Sequence, residues 1–398
     1  MPDNNLSAFT PKFWAAEMQI IFFKECVALA LANTELKADL KVGDVVHKPY
    51  RSKPIVKTYQ KGVDIQVEDR RGEDEYLTVD TAKIVPFYVD DLDRIQNKWD
   101  MATKFAQDAM KLLNIVLDQV VANNGKNNAA SSIDDGDVGG TAGNSIALST
   151  SVIHHIFTAA GRKISQLDVP EGNRFALCGP RTLEQLRLYL AGKDTPMADI
   201  VGRNGLVTER FGFEIYYSNN VPYSATLGMA TNPTADDTVT ISGVTFKFVS
   251  AIGTDPGNVL IGADAAASKT NLRDAINKGA GEGTTYIEVS DDNRWKLTKN
   301  NVIGVVNGNN VDITANVEIS VAETLTAAAD IWSTQYSYLL MGAKKATDLV
   351  VQQAPNVEFR VAEKRLGRFC YLWMLYGVKT FTDMKDALCA VKLDASKW

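Results

Sequence analysis

Residues 91–124, DLDRIQNKWDMATKFAQDAMKLLNIVLDQVVANN, hold a single apolar period longer than any other stretch of the chain. Leu92, Ile95, Trp99, Ala102, Ala106, Ala109, Leu113, Val116 and Val120 follow alternating steps of three and four, which draws one narrow stripe along a helix. Asp90 or Asp91 can cap the first turn, and Asn123, Asn124 and Gly125 tolerate the left-handed backbone at which helices stop. Such a rod is roughly 50 Å long, about the width of a domain. The alanines in the middle of the stripe imply that another element packs close there.

A chain of 398 residues, 45% apolar and 23% charged, has the composition of a soluble globular protein of two or three domains. Its net charge of −6 is concentrated in one place. Residues 226–330 carry 13 Asp and Glu against 7 Lys and Arg, while the remainder has 35 of each sign. A separate module with its own surface is the expectation, attached to a body that neither attracts nor repels nucleic acid as a whole. Cys26, Cys178, Cys370 and Cys389 are far apart and form no CxxC pair, so reduced, cytoplasmic thiols are expected. The apolar run Phe13 to Ala32 is broken by Glu17, Lys24 and Glu25 and reads as an amphipathic helix, not a signal peptide or a membrane span.

That helix, from Lys12 to about Ala32, carries Phe13, Trp14, Met18, Ile20, Ile21, Phe22 and Phe23. Only an extended segment follows it, so a distant part of the chain or another chain must cover it. From Gly43 to Val89 the pattern is strand-like and its charges are segregated. Lys48, Arg51, Lys53, Lys57 and Lys61 precede Asp64, Glu68, Asp69, Glu73, Asp74 and Glu75, with Arg70 and Arg71 between the acids. A two-stranded ribbon this polar is barely stable alone, and its Arg70-Arg71-Gly72 tip suits ionic contacts to a partner.

After the long helix, residues 149–167 read as a helix, RFALCGP as a buried strand and RTLEQLRLYLAG as a helix begun by Pro180. DIVGRNGLVTERFGFEIYYSNNVP is a strand, a turn and a strand. Between 226 and 330, TVTISGVTFKFVS is a hairpin turning at Ser242-Gly243, and GADAAASKTNLRDAINKG a helix. YIEVSDDNRWKLTKN reads as a second hairpin and VDITANVEIS as a strand. FCYLWMLYGVKTF, near the C-terminus, reads as a fully buried strand or pair of strands that partners the long helix.

Familiar catalytic signatures are absent: there is no GxSxG, HExxH, GxxxxGK[ST] or strand-borne GxGxxG. Asp134, Asp135 and Asp137 lack calcium-loop spacing, and adjacent His154 and His155 cannot form the i, i+4 pair of a helical metal site. GAGEG at 279–283 follows a helix instead of opening one, so it lacks the geometry of a phosphate loop. No enzyme activity, cofactor or metal is expected.

The order of an N-terminal arm, a polar two-stranded loop, a long helix and the unit RFALCGPRTLEQLRLYLAGKD resembles the major capsid proteins of tailed bacteriophages. GFEIYYSNNVP and EKRLGRFCYLWMLYGVKTF look like that family's strand before a variable insertion and its strands returning beside the helix. The resemblance implies an α+β fold of the phage major-capsid type. Its parts would be an arm (1–42), an extended β-ribbon loop (43–90), a peripheral domain with a spine helix (91–147 and 361–398), an axial domain (148–225 and 331–360) and an inserted β-rich domain (226–330). It further implies an icosahedral shell of hexamers and pentamers around a double-stranded DNA genome, assembled in the host cytoplasm and carried in the virion. Scaffolding, portal and decoration proteins would be partners, DNA would be met only non-specifically, and no membrane would be involved. Phe13, Trp14 and Phe22 of the arm and Lys57, Lys61, Arg70, Arg71 and Glu73 of the ribbon are the candidate inter-subunit contacts. The alternatives are an encapsulin-like compartment and a phage tail or adhesion protein.

Reversing Arg70 and Arg71 to Glu is expected to block assembly of a folded protomer. Exposed pairs contribute only about 0–1 kcal/mol each, but a shell repeats every contact. Light scattering beside circular dichroism checks this; normal shells from a normally folded variant would assign the two arginines to their own ribbon.

Overall fold

The computed structural model describes residues 23–38, 43–51, 54–62, 64, 67, 72–90, 101–193, 207–327, 330–361 and 366–396. The long helix, α1, runs Met101–Asn128. Residues 91–100, with Leu92, Ile95 and Trp99, lie outside the described residues. Ala106, Ala109 and Leu113 are buried as the stripe requires, but beyond them Ile115, Leu117, Asp118, Gln119, Val121 and Ala122 are buried as well. The narrow stripe thus widens until the helix is enclosed on most sides.

α1 also continues past the expected stop at Asn123-Asn124-Gly125. The two asparagines are used sideways instead: Asn123 pairs with Asn316, and Asn124 Oδ1 accepts from Thr380 Oγ1 at 2.8 Å. Gly125 serves packing, since a Cβ there would come within 2.9 Å of the Leu340 side chain.

The three-stranded and the nine-stranded sheet both pack against this helix. A three-stranded antiparallel sheet is ordered β16 (Asp348–Val361), β17 (Gly367–Lys379), β3 (Thr81–Asp90). On β17, Cys370, Leu372, Met374 and Tyr376 are buried in the core shared with Ala106, Ala109, Leu113 and Leu117 of α1. The intervening Phe369, Tyr371, Trp373 and Leu375 are only half-buried. The aromatic run is therefore one strand buried on one face, not a fully buried one: alternation of period two turns every second side chain away from the helix. Pro86 is accommodated because β3 is an edge strand.

A nine-stranded sheet carries β5 (Arg174–Cys178), all of whose residues are buried, beside β15 (Trp332–Ala343) and β7 (Phe213–Tyr217). β18 (Leu388–Asp394) flanks β15. The helices α2 (Ile153–Gln166) and α3 (Pro180–Ala191) pack on it, with Ile153, Ile156, Phe157, Ile164, Leu183 and Leu186 in the core. Pro180 stands at the first turn of α3, as its fixed φ favours.

A further core, around Val239, Ile241, Phe246, Phe248, Leu272, Ile276 and Tyr286, lies mostly within residues 226–330 and extends to Tyr223, Ala225 and Ala395. The hairpin β9 (Thr238–Ile241) and β10 (Val244–Val249) turns at Ser242 and Gly243, both at positive φ, as a two-residue turn of the primed type requires. Helix α4 (Ala265–Asn277) lies where the sequence puts it. The expected second hairpin is instead a helix, α5 (Asp291–Lys299). Asp291 and Asp292 in its first turn and Lys296 and Lys299 in its last complement the helix dipole, and this outweighs the apparent alternation. Two strands of the region, β12 (Ile303–Asn307) and β13 (Asn310–Ala315), join the large sheet: β13 pairs along its length with β8 (Tyr223–Gly228), and β8 pairs with β15. β12 is the outermost strand there, and the Asn277 side chain binds both the N–H and the C=O of Gly304 at 2.8 and 2.7 Å.

The N-terminal segment departs from the sequence reading. Residues 12–22 lie outside the described residues, but 23–27 have no regular secondary structure and only Ala28–Leu31 form a 3-10 turn, so no α-helix reaches Ala32. Its backbone binds other elements instead: Leu29 N–H donates to Asp118, and Leu31 C=O accepts from Lys345 N–H.

Past β13 the chain returns to the body at Glu318, half-buried 3.5 Å from Ser337 Oγ and beside Gly179 at the start of α3. Burial pushes its carboxyl up to about 7, against the opposing pull of Arg181. A raised carboxyl pKa means that the folded chain keeps a proton the unfolded chain has released. Stability from this group is thus full below about pH 4.5 and is lost as pH rises through about 7. Glu318→Gln is expected to flatten the fall in unfolding midpoint between about pH 5 and about pH 8. Parallel thermal scans check this; identical pH profiles for the two chains would remove Glu318 as the cause.

Candidate assembly surfaces

The polar ribbon is an antiparallel pair, β1 (Val45–Arg51) and β2 (Gly72–Thr78), in register from Val45 opposite Thr78 to Arg51 opposite Gly72. A ribbon of two strands needs outside support, and its root has it. Val46, Leu77, Val79, Val350 and Phe381 form a small core of their own. Glu75 accepts from Thr382 N–H at 2.9 Å and from its hydroxyl at 2.7 Å, and the backbone N–H bond is the leading cause of its lowered carboxyl pKa. Lys48 Nζ lies 3.5 Å from Asp348 and 4.5 Å from the centre of the Phe381 ring. Asp348, 1% exposed, also accepts from Asn33 Nδ2 at 2.5 Å; its pKa is raised, because burial outweighs Lys48. Lys379 Nζ donates to Tyr76 C=O at 2.8 Å. A Cβ on Gly377 of β17 would collide with Thr78 C=O and come within 2.9 Å of Leu77, so glycine permits the close approach of ribbon to sheet.

Beyond this root the ribbon presents apolar surface. Ile55, Val56, Tyr59 and Val67 are 71%, 97%, 68% and 90% exposed, in a stretch without strand pairing among the described residues. Lys57 and Lys61 lie in the same exposed stretch. Glu73 stands in β2 opposite Tyr50, and its side chain lies outside the described residues. Phe13, Trp14, Phe22, Arg70 and Arg71 also lie outside them. Charge segregation points to the lysines and not to the apolar residues among them. The signal was present in IVKTY at 55–59, where three of five residues are large and uncharged.

A second exposed face belongs to the three-stranded sheet. On the side away from α1, Tyr88 and Phe369 lie 5.2 Å apart, Phe369 stacks on Tyr371 at 6.1 Å, and Arg360 sits 6.0 Å over the Tyr371 ring. Ile84, opposite Trp373 in register, is 57% exposed. Two apolar surfaces of this size, one projecting and one flat, are what a protomer presents to other molecules.

Comparison with known proteins agrees with this geometry. Residues 72–259, from the second ribbon strand into the insert, match the model of a phage capsid protein family. Over that span the chain is similar to phage capsid proteins. The chain also shares its fold with a solved structure from Mycobacterium phage Che8, at 15% identity and a TM-score of 0.60, over 98% of each chain. A capsid structure of the cyanophage P-SCSP1u aligns at 14% identity and a TM-score of 0.56, over 98% of this chain and 93% of that one. No curated protein matches the chain. The fold is thus the α+β phage major-capsid type.

Gly377→Ala is expected to push β2 off β17 and to cost about 1–3 kcal/mol, the usual penalty of overpacking. Denaturant unfolding of the protomer checks it; an unchanged midpoint would mean that the ribbon root has slack.

Proposed function

We propose that copies of this chain, in hexamers and pentamers, build an icosahedral shell around the double-stranded DNA genome of a tailed phage. Assembly takes place in the host cytoplasm, scaffolding, portal and decoration proteins are further partners, DNA is met non-specifically, and the chain catalyses no reaction. The observation that carries this reading is the projecting stretch with exposed Ile55, Val56 and Tyr59, anchored at its root and uncovered among the described residues. On this reading a neighbouring copy covers it. Phe13, Trp14 and Phe22 of the arm and Lys57, Lys61, Arg70, Arg71 and Glu73 of the ribbon belong to the same contacts. The division into arm, ribbon, peripheral, axial and inserted domains is part of the proposal, with the seam of the insert at β13 and β8. The match to a phage capsid family favours a genome container over a cargo compartment or a tail adhesin.

Replacing Ile55, Val56 and Tyr59 together by Ser removes apolar contact area without touching the root. The variant is expected to stay folded and to lose assembly. Sedimentation velocity and negative-stain microscopy read the outcome, and closed shells in normal yield would overturn the proposed contact.

A further inference from the structure

The N-terminal segment and the inserted region are far apart in sequence, yet both rest on the same part of α1. Asp118, 0% exposed, accepts from Leu29 N–H at 3.1 Å and from Asn220 Nδ2 at 2.9 Å. The N–H groups of Ala28 and Val27 are directed at the same carboxylate. Further along the helix, Asn123 and Asn316 exchange two amide hydrogen bonds of 3.1 Å, and Asn301 Nδ2 adds a third to Asn316 Oδ1 at 2.9 Å. Gln119 Nε2 reaches the Lys299 carbonyl at 3.4 Å. The segment also touches the insert directly. Lys24 Nζ donates to the Asn316 carbonyl at 3.0 Å, and the Phe23 ring meets Trp295 edge-on at 6.3 Å.

We propose that residues 23–31, α1 and the base of the insert (295–316) form one latch, in which the insert must be seated for the N-terminal segment to be held, and the reverse. The reason is the fate of the polar groups when one member leaves. Departure of the segment strips Asp118 of its backbone donors and leaves its carboxylate, in the middle of a buried helix, with the Asn220 amide alone, which is costly for a charged group. Departure of the insert removes the acceptor of the half-buried Lys24 amine, whose pKa burial has already lowered to about 8. It also orphans the Asn123 amide. Each loss therefore weakens the next bond, which is how a polar network becomes cooperative.

The test is amide hydrogen exchange on the full-length chain. Asn316→Ala changes only the insert, and is expected to speed exchange at Leu29 and Ala30 by about tenfold, within the range of ordinary coupling. Lys24→Met changes only the segment, and is expected to speed exchange at Asn316 and Val302, whose N–H groups bond to Asn300 and Leu297. Reciprocity requires both effects to be present, each scaled by how far its substitution unseats its own member. Asn123→Ala removes the same amide pair from the helix side, should do both, and gives the answer if Asn316→Ala does not fold. Folded Asn316→Ala or Asn123→Ala chains with unchanged exchange at Leu29 would overturn the latch. So would a Lys24→Met chain that loosens only residues 23–31.

Discussion

The structure depends on a helix buried on more sides than an amphipathic stripe can supply. Along its first half α1 lies on β17 through Ala106, Ala109, Leu113 and Leu117, each apolar side chain contributing on the order of 1.5–3 kcal/mol when large and fully buried. Past Leu113 the helix enters a region where the three-stranded sheet, the large sheet, the N-terminal segment and the insert converge. Asp118, Gln119, Asn123 and Asn124 are carried into that region, where an unpartnered polar group would cost about 1–3 kcal/mol. Each has a partner from a different part of the chain. Apolar packing therefore holds one half of the helix and polar pairing specifies what meets at the other.

What could be read from sequence was whatever local chemistry decides. The middle of α1, the strand and proline-led helix from Arg174 to Ala191, the Ser242-Gly243 turn and α4 are each set by periodicity, turn residues or a helix-start signal within a few positions. The misreadings occur where distant residues decide. Asn123, Asn124 and Gly125 look like a stop until Asn316, Thr380 and Leu340 claim them. Residues 23–32 look helical until Asp118 and Lys345 take up their backbone groups. α5 was hidden for a different reason: with Leu297 its one fully buried side chain, it has no apolar period to detect, and only its end charges mark it.

The proposed assembly surface draws on two kinds of sequence signal, of unequal visibility. Charge segregation along 48–75 is visible in the sequence, and it directed attention to Lys57, Lys61, Arg70 and Arg71. Exposure of Ile55, Val56, Tyr59 and Val67 is not visible there, because apolar residues in a strand-like stretch are normally taken as core. Nor could sequence show that Gly377 lies against Thr78, since a close approach across three hundred residues leaves no local mark.

The outermost strand of the large sheet, with exposed Ile303 and Val305 and no charged residue between Asn300 and Val311, has the composition of a strand that invites another to pair with it. Wherever copies of the chain meet at high concentration, such an edge is a template for sheet growth from copy to copy. Asn277 forestalls this at Gly304 by mimicking a backbone: its amide occupies the donor and acceptor that an incoming strand would need. The insert thus keeps a neutral rim without the lysines or prolines that usually guard one, and copies brought together are kept from pairing edge to edge.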